Sequence, residues 1–533
     1  MSQIFSYIFD WSTKNHFWFS LRFLFLFTYT LFGSILAALG YGGVLPFTVE
    51  YWFFYSLILF LFSLWRPNLA FLLFVSLLPL EITGVTPVEW GVTLRPYQWV
   101  ALFLGLALAV RFVSGRLKWP LFSLNKIDIS LSIFLFGVIL SGIVHGEGAL
   151  KQSLIVASFV YLYFLSRIFL ATQEAVMQAL PFFVVPATGS LLWGLFQNIL
   201  FLQGYSSWAV MPGRPNGTLP EPDWLGFFII FLLSAGLTWL MKHLVSQKEI
   251  FLRQLIGPAL WCAFLFLLLI LTVSRSAWLG AGVAIFVGTA ILLAPYKQPW
   301  RYQASFLLMQ ILSVVFGVAL FLVVSIPLTH FPLFDRAIST ASHEQTITIA
   351  CNEVVDSLPP SIERMEDLPA LYGCTHINLE EIPLKKNEGK WVTTIKRPDP
   401  NVEIRSAIYA QSLAAGREHP LLGIGWGNIG PRLGVDERGA SYNASNLWLE
   451  IWLGGGVIAL LGFLVAMVLL VRQLKRWRES EDLWLLGLAL GAALIGFLVF
   501  NLFNTGLLLG FVWVYLATFS ITDRSQSTST EKI

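Results

Sequence analysis

Arg275 lies in Thr272-Val273-Ser274-Arg275-Ser276, a join with almost no loop between two long runs of Leu, Ile, Phe and Val. A guanidinium at that depth needs a partner, a water-filled cavity or a lipid phosphate to snorkel towards. Its planar fork also suits a phosphate or diphosphate ligand. A second arginine, Arg214, sits in Gly213-Arg214-Pro215-Asn216-Gly217-Thr218-Leu219-Pro220-Glu221-Pro222-Asp223-Trp224. Gly and Pro make that loop stiff and turn-rich, presenting Arg214 beside Asn216, Glu221 and Asp223; a solvated connector is the plain alternative. A third, Arg405, opens a stretch of helical spacing over 403–416, with Ile404, Ala407, Ile408 and Leu413 on one side, that Pro420 stops. Next comes His419-Pro420-Leu421-Leu422-Gly423-Ile424-Gly425-Trp426-Gly427-Asn428. This Gly-x-Gly-x-Gly follows a helix rather than a strand, so it is not a dinucleotide loop; the glycines instead allow close backbone packing. Lastly, Tyr442-Asn443-Ala444-Ser445-Asn446-Leu447-Trp448-Leu449-Glu450 opens an apolar run. Ser445 or Asn446 can cap that helix, whose first amides favour an anion. Glu450, one turn inside, is expected to pair with a cation.

The elements that carry these residues follow from composition. Of 533 residues, 56% are hydrophobic and only 12% charged, about half the charge of a soluble domain, so a soluble enzyme is excluded. Three cysteines exclude a disulfide scaffold, abundant Phe, Leu and Trp exclude disorder, and a net charge of +3 is no nucleic-acid signature. A hydrocarbon core of about 30 Å needs roughly 20 apolar residues per helix. Spans are expected near 18–40, 48–65, 68–84, 97–113, 128–145, 151–171, 179–203, 224–245, 255–273, 276–294, 304–328, 446–471, 483–502 and 506–522. That makes about fourteen. Within 48–84, Arg66-Pro67-Asn68 reads either as a turn between two spans or as a break in one long element. The first apolar run lacks a cleavage site and reads as a first span.

Short-loop Lys and Arg set the orientation. With the N-terminus inside, the inner loops hold Arg66; Arg111, Arg116, Lys118 and Lys126; Lys242, Lys248 and Arg253; Lys297 and Arg301; and Arg472, Lys475, Arg476 and Arg478. The outer short loops hold only Arg95, Lys151, Arg214 and Arg275. The expected organisation is thus membrane helices over 1–328, an extracytoplasmic loop or cap over 329–445, C-terminal spans over 446–522 and a cytoplasmic tail over 523–533. The cap should be small and α/β or irregular. Cys351 and Cys374 lie where disulfides persist, and either a bridge or two buried thiols fits; Cys262, inside a span, reads as a packing residue.

In this order the motifs resemble the O-antigen ligase and polymerase superfamily, as a cyanobacterial-like member: Arg214-Pro215-Asn216-Gly217-Thr218 with Asp223-Trp224-Leu225-Gly226; Ser274-Arg275-Ser276; Arg405 before His419-Pro420-Leu421-Leu422-Gly423-Ile424-Gly425; and Asn446-Leu447-Trp448-Leu449-Glu450. The likeness covers roughly 200–470. It implies an all-α polytopic membrane protein of about 12–14 helices with one large periplasmic loop, like lipid-carrier-dependent glycosyltransferases. The activity implied is transfer of a glycan from a polyprenyl (undecaprenyl) diphosphate carrier to a hydroxyl of a lipid A–core sugar, a second glycan or a protein. It would act at the inner membrane, in lipopolysaccharide or surface-polysaccharide biosynthesis, among membrane lipids, with no nucleic acid, no cofactor and no metal. By resemblance Arg214, Arg275 and Arg405 hold the departing diphosphate. Glu450 joins them as a catalytic candidate, and Ser445, Asn446, Asn216, Asp223 and His419 as substrate contacts. Ligases carry a histidine where this chain has Ser445, and a serine hydroxyl is no base at neutral pH. The base is then Glu450, Glu221 or Asp223, or the chain is an inactive relative. A transporter of glycolipid or of a small anion such as bicarbonate is the other class; it would show related halves or midplane charges, whereas the charges here cluster at one face.

Overall fold

The computed structural model describes residues 48–82, 84–90, 93–117, 122–203, 205, 208–211, 213–245, 252–293, 300–325, 344–355, 358–377, 381–398, 400–435, 441–480 and 483–521. The expected span at 18–40 and the tail at 523–533 lie outside the described residues.

Within the described residues up to 325, the expected apolar runs become helices: α1 (Val49–Trp65), α2 (Pro67–Leu77), α3 (Pro96–Val113), α4 (Lys126–Val144), α5 (Glu147–Phe169), α6 (Gln173–Leu202), α7 (Pro222–Val245), α8 (Leu252–Leu271), α9 (Arg275–Leu293) and α10 (Trp300–Ser325). Arg66 leaves the helical region at φ −132° and Pro67 starts α2, so the segment is two helices. Six described helices, α3 to α7 and α15 (Leu447–Glu479), are long and apolar enough to cross a bilayer. Others are shorter than expected: α2 has 11 residues and the last helix, α17 (Gly510–Thr518), has 9. Between α16 (Trp484–Phe500) and α17 the chain is irregular, where a continuous span was expected to start at 506.

Small residues set the closest helix pair. A Cβ on Gly137 of α4 would lie 2.7 Å from the Ala459 nitrogen, and one on Gly462 of α15 would lie 2.5 Å from the Phe134 nitrogen. Backbone approach of this kind replaces the hydrophobic effect as the glue between helices in lipid. At one end of the bundle, Arg167 of α5 grips Asp128 of α4 through two bonds of 3.1 and 3.0 Å. Tyr163 donates to the same carboxylate at 2.6 Å, and Arg167 reaches the Ser520 and Ser123 carbonyls. The loop at the other end of α2 is tied down by a second buried acid, Glu81, which meets Arg95 at 2.6 Å, Tyr97 Oη at 2.8 Å and the Gly510 N–H at 2.9 Å.

The segment after α10 holds a three-stranded antiparallel sheet, ordered β2 (Cys374–His376), β1 (Glu344–Cys351), β3 (Trp391–Pro398). The Thr346-Ile347-Thr348-Ile349 alternation buries Ile347 and Ile349, as strand pleating requires. Cys351 pairs with Cys374 across β1 and β2 and forms a disulfide, while Cys262 is free and buried. Helices α11 (Asp367–Tyr372) and α12 (Ile382–Asn387) link the strands, α13 (Pro400–Glu418) follows, and α14 (Ile429–Leu433) precedes α15.

α15 is broken at Gly456, which adopts φ 68°. A break leaves backbone groups without intrahelical partners, which is tolerable at membrane depth only if protein supplies them. Here the His419–Gly425 stretch does so. The Ile424 and Gly425 N–H groups donate to the Leu453 carbonyl, and the Val457 N–H donates to the Pro420 carbonyl. A Cβ on Gly423 would lie 2.2 Å from the Leu453 oxygen, and one on Gly454 would meet the Trp426 ring at 2.2 Å. These glycines permit close packing, as their spacing suggests.

Candidate functional site

The 213–223 loop folds around its own polar groups. Asn216 is fully buried: its Nδ2 donates to the Leu219 carbonyl, its Oδ1 accepts from the Val210 N–H, and its N–H donates to Gln197 Oε1. Asn216 is therefore a strut of the loop, which corrects its expected role as a substrate contact. Gln197, one helix earlier, also accepts from the Gly217 N–H. The Gln197-Asn198 pair in the apolar second half of that helix was the signal that could have found it.

Arg214 is buried too. Nε donates to the Thr272 carbonyl at 2.9 Å, Nη2 to Asp223 at 3.2 Å and to the Val273 carbonyl at 3.5 Å, and Nη1 to Met211 Sδ at 3.3 Å. A guanidinium has five N–H groups, so little remains for a ligand. The expectation of a diphosphate contact is replaced by that of a buttress. The carbonyls it holds sit at the turn between α8 and α9, where Val273 takes φ 52°. A β-branched residue in that region is strained, and the surroundings must hold it there. Two residues on, Arg275 begins α9, half-buried. Gly226 lets α7 lie against this point, since its Cβ would come within 2.6 Å of the Ala277 Cβ.

Ser276 accepts a hydrogen bond from Asn504 Nδ2 at 2.8 Å. Asn504 belongs to the irregular stretch after α16, which also reaches α15: the Leu447 N–H donates to the Asn501 carbonyl and Asn446 Nδ2 to the Leu502 carbonyl. Asn446 is the N-cap of α15, accepting from the Trp448 and Leu449 N–H groups. Ser445 precedes it at φ 49°, held by Asn443, and its carbonyl accepts from Tyr409 Oη of α13 at 3.2 Å. Arg405 lies one turn before Tyr409, partly exposed, with no hydrogen bond or ion pair among the described residues.

A continuous strip therefore runs from Arg275 and Ser276, through Asn504 and Asn501, to Asn446, Ser445 and Tyr409, with Arg405 one turn beyond. Asn501 and Asn504 were missed from sequence; asparagines inside Phe500-Asn501-Leu502-Phe503-Asn504, an otherwise apolar run, were the available signal. Glu450 is buried and accepts the Ala444 N–H at 2.7 Å, with the Trp426 side chain as a second donor. No cation pairs with it among the described residues, so the expected ion pair is corrected to a carboxylate that fastens the 442–446 turn to its own helix. Asp223 is partly accessible, with 34% of its side chain exposed. His419 is away from the strip: it is exposed at the far end of α13, against His145.

Among the described residues, no group of three His, Cys, Asp or Glu could hold a metal ion. No curated protein matches this chain. Residues 260–464, from α8 through the break in α15, match the family described as O-antigen ligase; the Arg214 loop precedes that range. Arg275, Arg405, Ser445 and Asn446 all fall inside it, on a chain whose long apolar helices are those of a multi-pass membrane protein; the match supports membership of the O-antigen ligase superfamily.

Proposed function

We propose that the chain transfers a glycan from a polyprenyl diphosphate carrier to a hydroxyl acceptor, at the face that carries the disulfide-bonded sheet. The observation that carries this reading is the strip from Arg275 to Arg405, assembled from α9, the 501–509 stretch, the α15 N-terminus and α13. The acceptor oxygen attacks the anomeric carbon, the bond from that carbon to the phosphate oxygen breaks, and the diphosphate leaves as an anion. Arg275 and Arg405 meet that anion, and cations already in position stabilise developing charge without reorganisation. The acceptor proton passes to a carboxylate; Asp223, accessible and paired with Arg214, fits that task better than buried Glu450.

The Cys351–Cys374 bridge supports an extracytoplasmic location for this face, since disulfides persist in oxidising compartments. It agrees with Lys and Arg counts that put both termini and the opposite loops in the cytoplasm. In this reading the 329–445 segment is the periplasmic cap and 446–522 completes the membrane domain.

The test uses Arg275→Ala and Arg405→Ala in cells and with a defined lipid-diphosphate donor. Both should lose glycan transfer while keeping normal membrane levels. Normal glycan attachment and length in both variants would remove the reading. A cysteine placed at Lys386, exposed on α12, should react with an impermeant label from outside; reactivity only from the cytosol would invert the topology.

A further inference from the structure

We infer that His145 and His419 form a binding site for a divalent transition-metal ion, which fastens the end of α4 to the end of α13. Their rings meet edge to face, with centroids 6.0 Å apart and planes at 90°. An ion about 2.1 Å from one nitrogen of each ring would hold the centroids about 5–6.5 Å apart, so the spacing admits an ion with little movement. His145 Nδ1 lies 2.9 Å from the Ser141 carbonyl oxygen. A carbonyl only accepts, so Nδ1 carries the proton and Nε2 keeps its lone pair. A backbone carbonyl orienting the non-ligating nitrogen is the usual support of a metal-bound imidazole. The His419 side chain is exposed and makes no hydrogen bond among the described residues.

The local field also favours a cation. His145 caps the C-terminus of α4, and His419 directly follows Glu418, the last residue of α13. Two negative helix ends thus converge on the pair. Neighbouring Glu418 is engaged with Arg432 at 2.7 Å. Packing already sets the register, because Gly425 lies against His145 and Ala149, and Gly427 against the Gly148 carbonyl. Imidazole pairs favour Cu²⁺ over Ni²⁺ and Zn²⁺. With two protein ligands, water fills the remaining positions. The inference is independent of the glycan-transfer reading, and the site lies away from the strip.

The test titrates the full-length protein in detergent with Zn²⁺ or Ni²⁺ alone, read by competition with a coloured chelator. One ion should bind per chain and raise the melting temperature. His145→Ala and His419→Ala should each weaken binding at least about tenfold, the loss of one of two ligands, whereas His376→Ala on β2 should not. Unchanged titration in both variants, or no saturable binding to the parent chain, overturns the site. Should an alanine variant fold poorly, Cu²⁺ electron paramagnetic resonance of the parent chain decides: coupling to two imidazole nitrogens supports the pair, and coupling to fewer overturns it.

Discussion

The helix bundle uses arginine in two contrasting ways. At the end expected to face the cytoplasm, Arg167 is closed into a knot with Asp128, Tyr163, Ser123 and Ser520, and it is buried. At the other end Arg275 and Arg405 stand partly exposed on a strip of asparagines and serines. Arg95 and Arg214 belong by position to the second end and by bonding to the first, Arg95 through Glu81 and Arg214 through Asp223. The difference teaches that residue type and loop position do not separate a buried, structural arginine from a partly exposed one; partners distant in sequence do. Irregular backbone divides the same way. The turn at Val273, the break at Gly456 and the 501–509 stretch all gather around the strip or its neighbours.

That contrast can be broken in several places. Asp128→Ala leaves Arg167 buried and unpaired, so it should cost about 3–5 kcal/mol of stability and lower the membrane level of the protein. A fall as large in Arg405→Ala would erase the distinction between the two ends. Removing the disulfide with Cys351→Ser closes no 23-residue separation and should cost about 3 kcal/mol, read as a lower melting temperature of the cap. Arg275→Ala and Arg405→Ala should reduce transfer about 10²–10³-fold, near 3–4 kcal/mol of transition-state stabilisation, with melting temperature nearly unchanged. Arg214→Lys keeps a charge but loses the fork that holds Thr272, Val273 and Asp223, so stability and transfer should fall together; a loss of transfer alone would make Arg214 a ligand contact after all. The smallest effect is expected for Glu450→Gln, which keeps an acceptor for the Ala444 N–H and should change stability by under about 1 kcal/mol. Transfer abolished in that variant would make Glu450 the base.

The helices were legible because about 20 apolar residues leave few alternatives in lipid. The strand alternation at Thr346–Ile349 and the Asn446 cap were legible for similar reasons, one local rule each. Less legible was anything decided by partners distant in sequence. Asn216 looked like a ligand contact because its loop is polar, yet Gln197 and Leu219 consume its bonds. Glu450 looked like one half of an ion pair because charge in an apolar run is costly, yet a backbone N–H three residues outside the helix satisfies it. Asn501 and Asn504 escaped notice because short spans were read as full ones. The shortening of α17 to nine residues is what frees that stretch to run between α9 and α15.

The docking of Pro420–Gly425 into the gap at Gly456 has a consequence for how the protein is made. The docking segment leaves the ribosome before α15 does, and in the proposed topology it is already across the bilayer when that span arrives. A straight α15 inserted alone would have to reopen its backbone to accept it. In the proposed topology biogenesis is therefore ordered: export of the large hydrophilic segment precedes, and shapes, the final form of the helix that follows it.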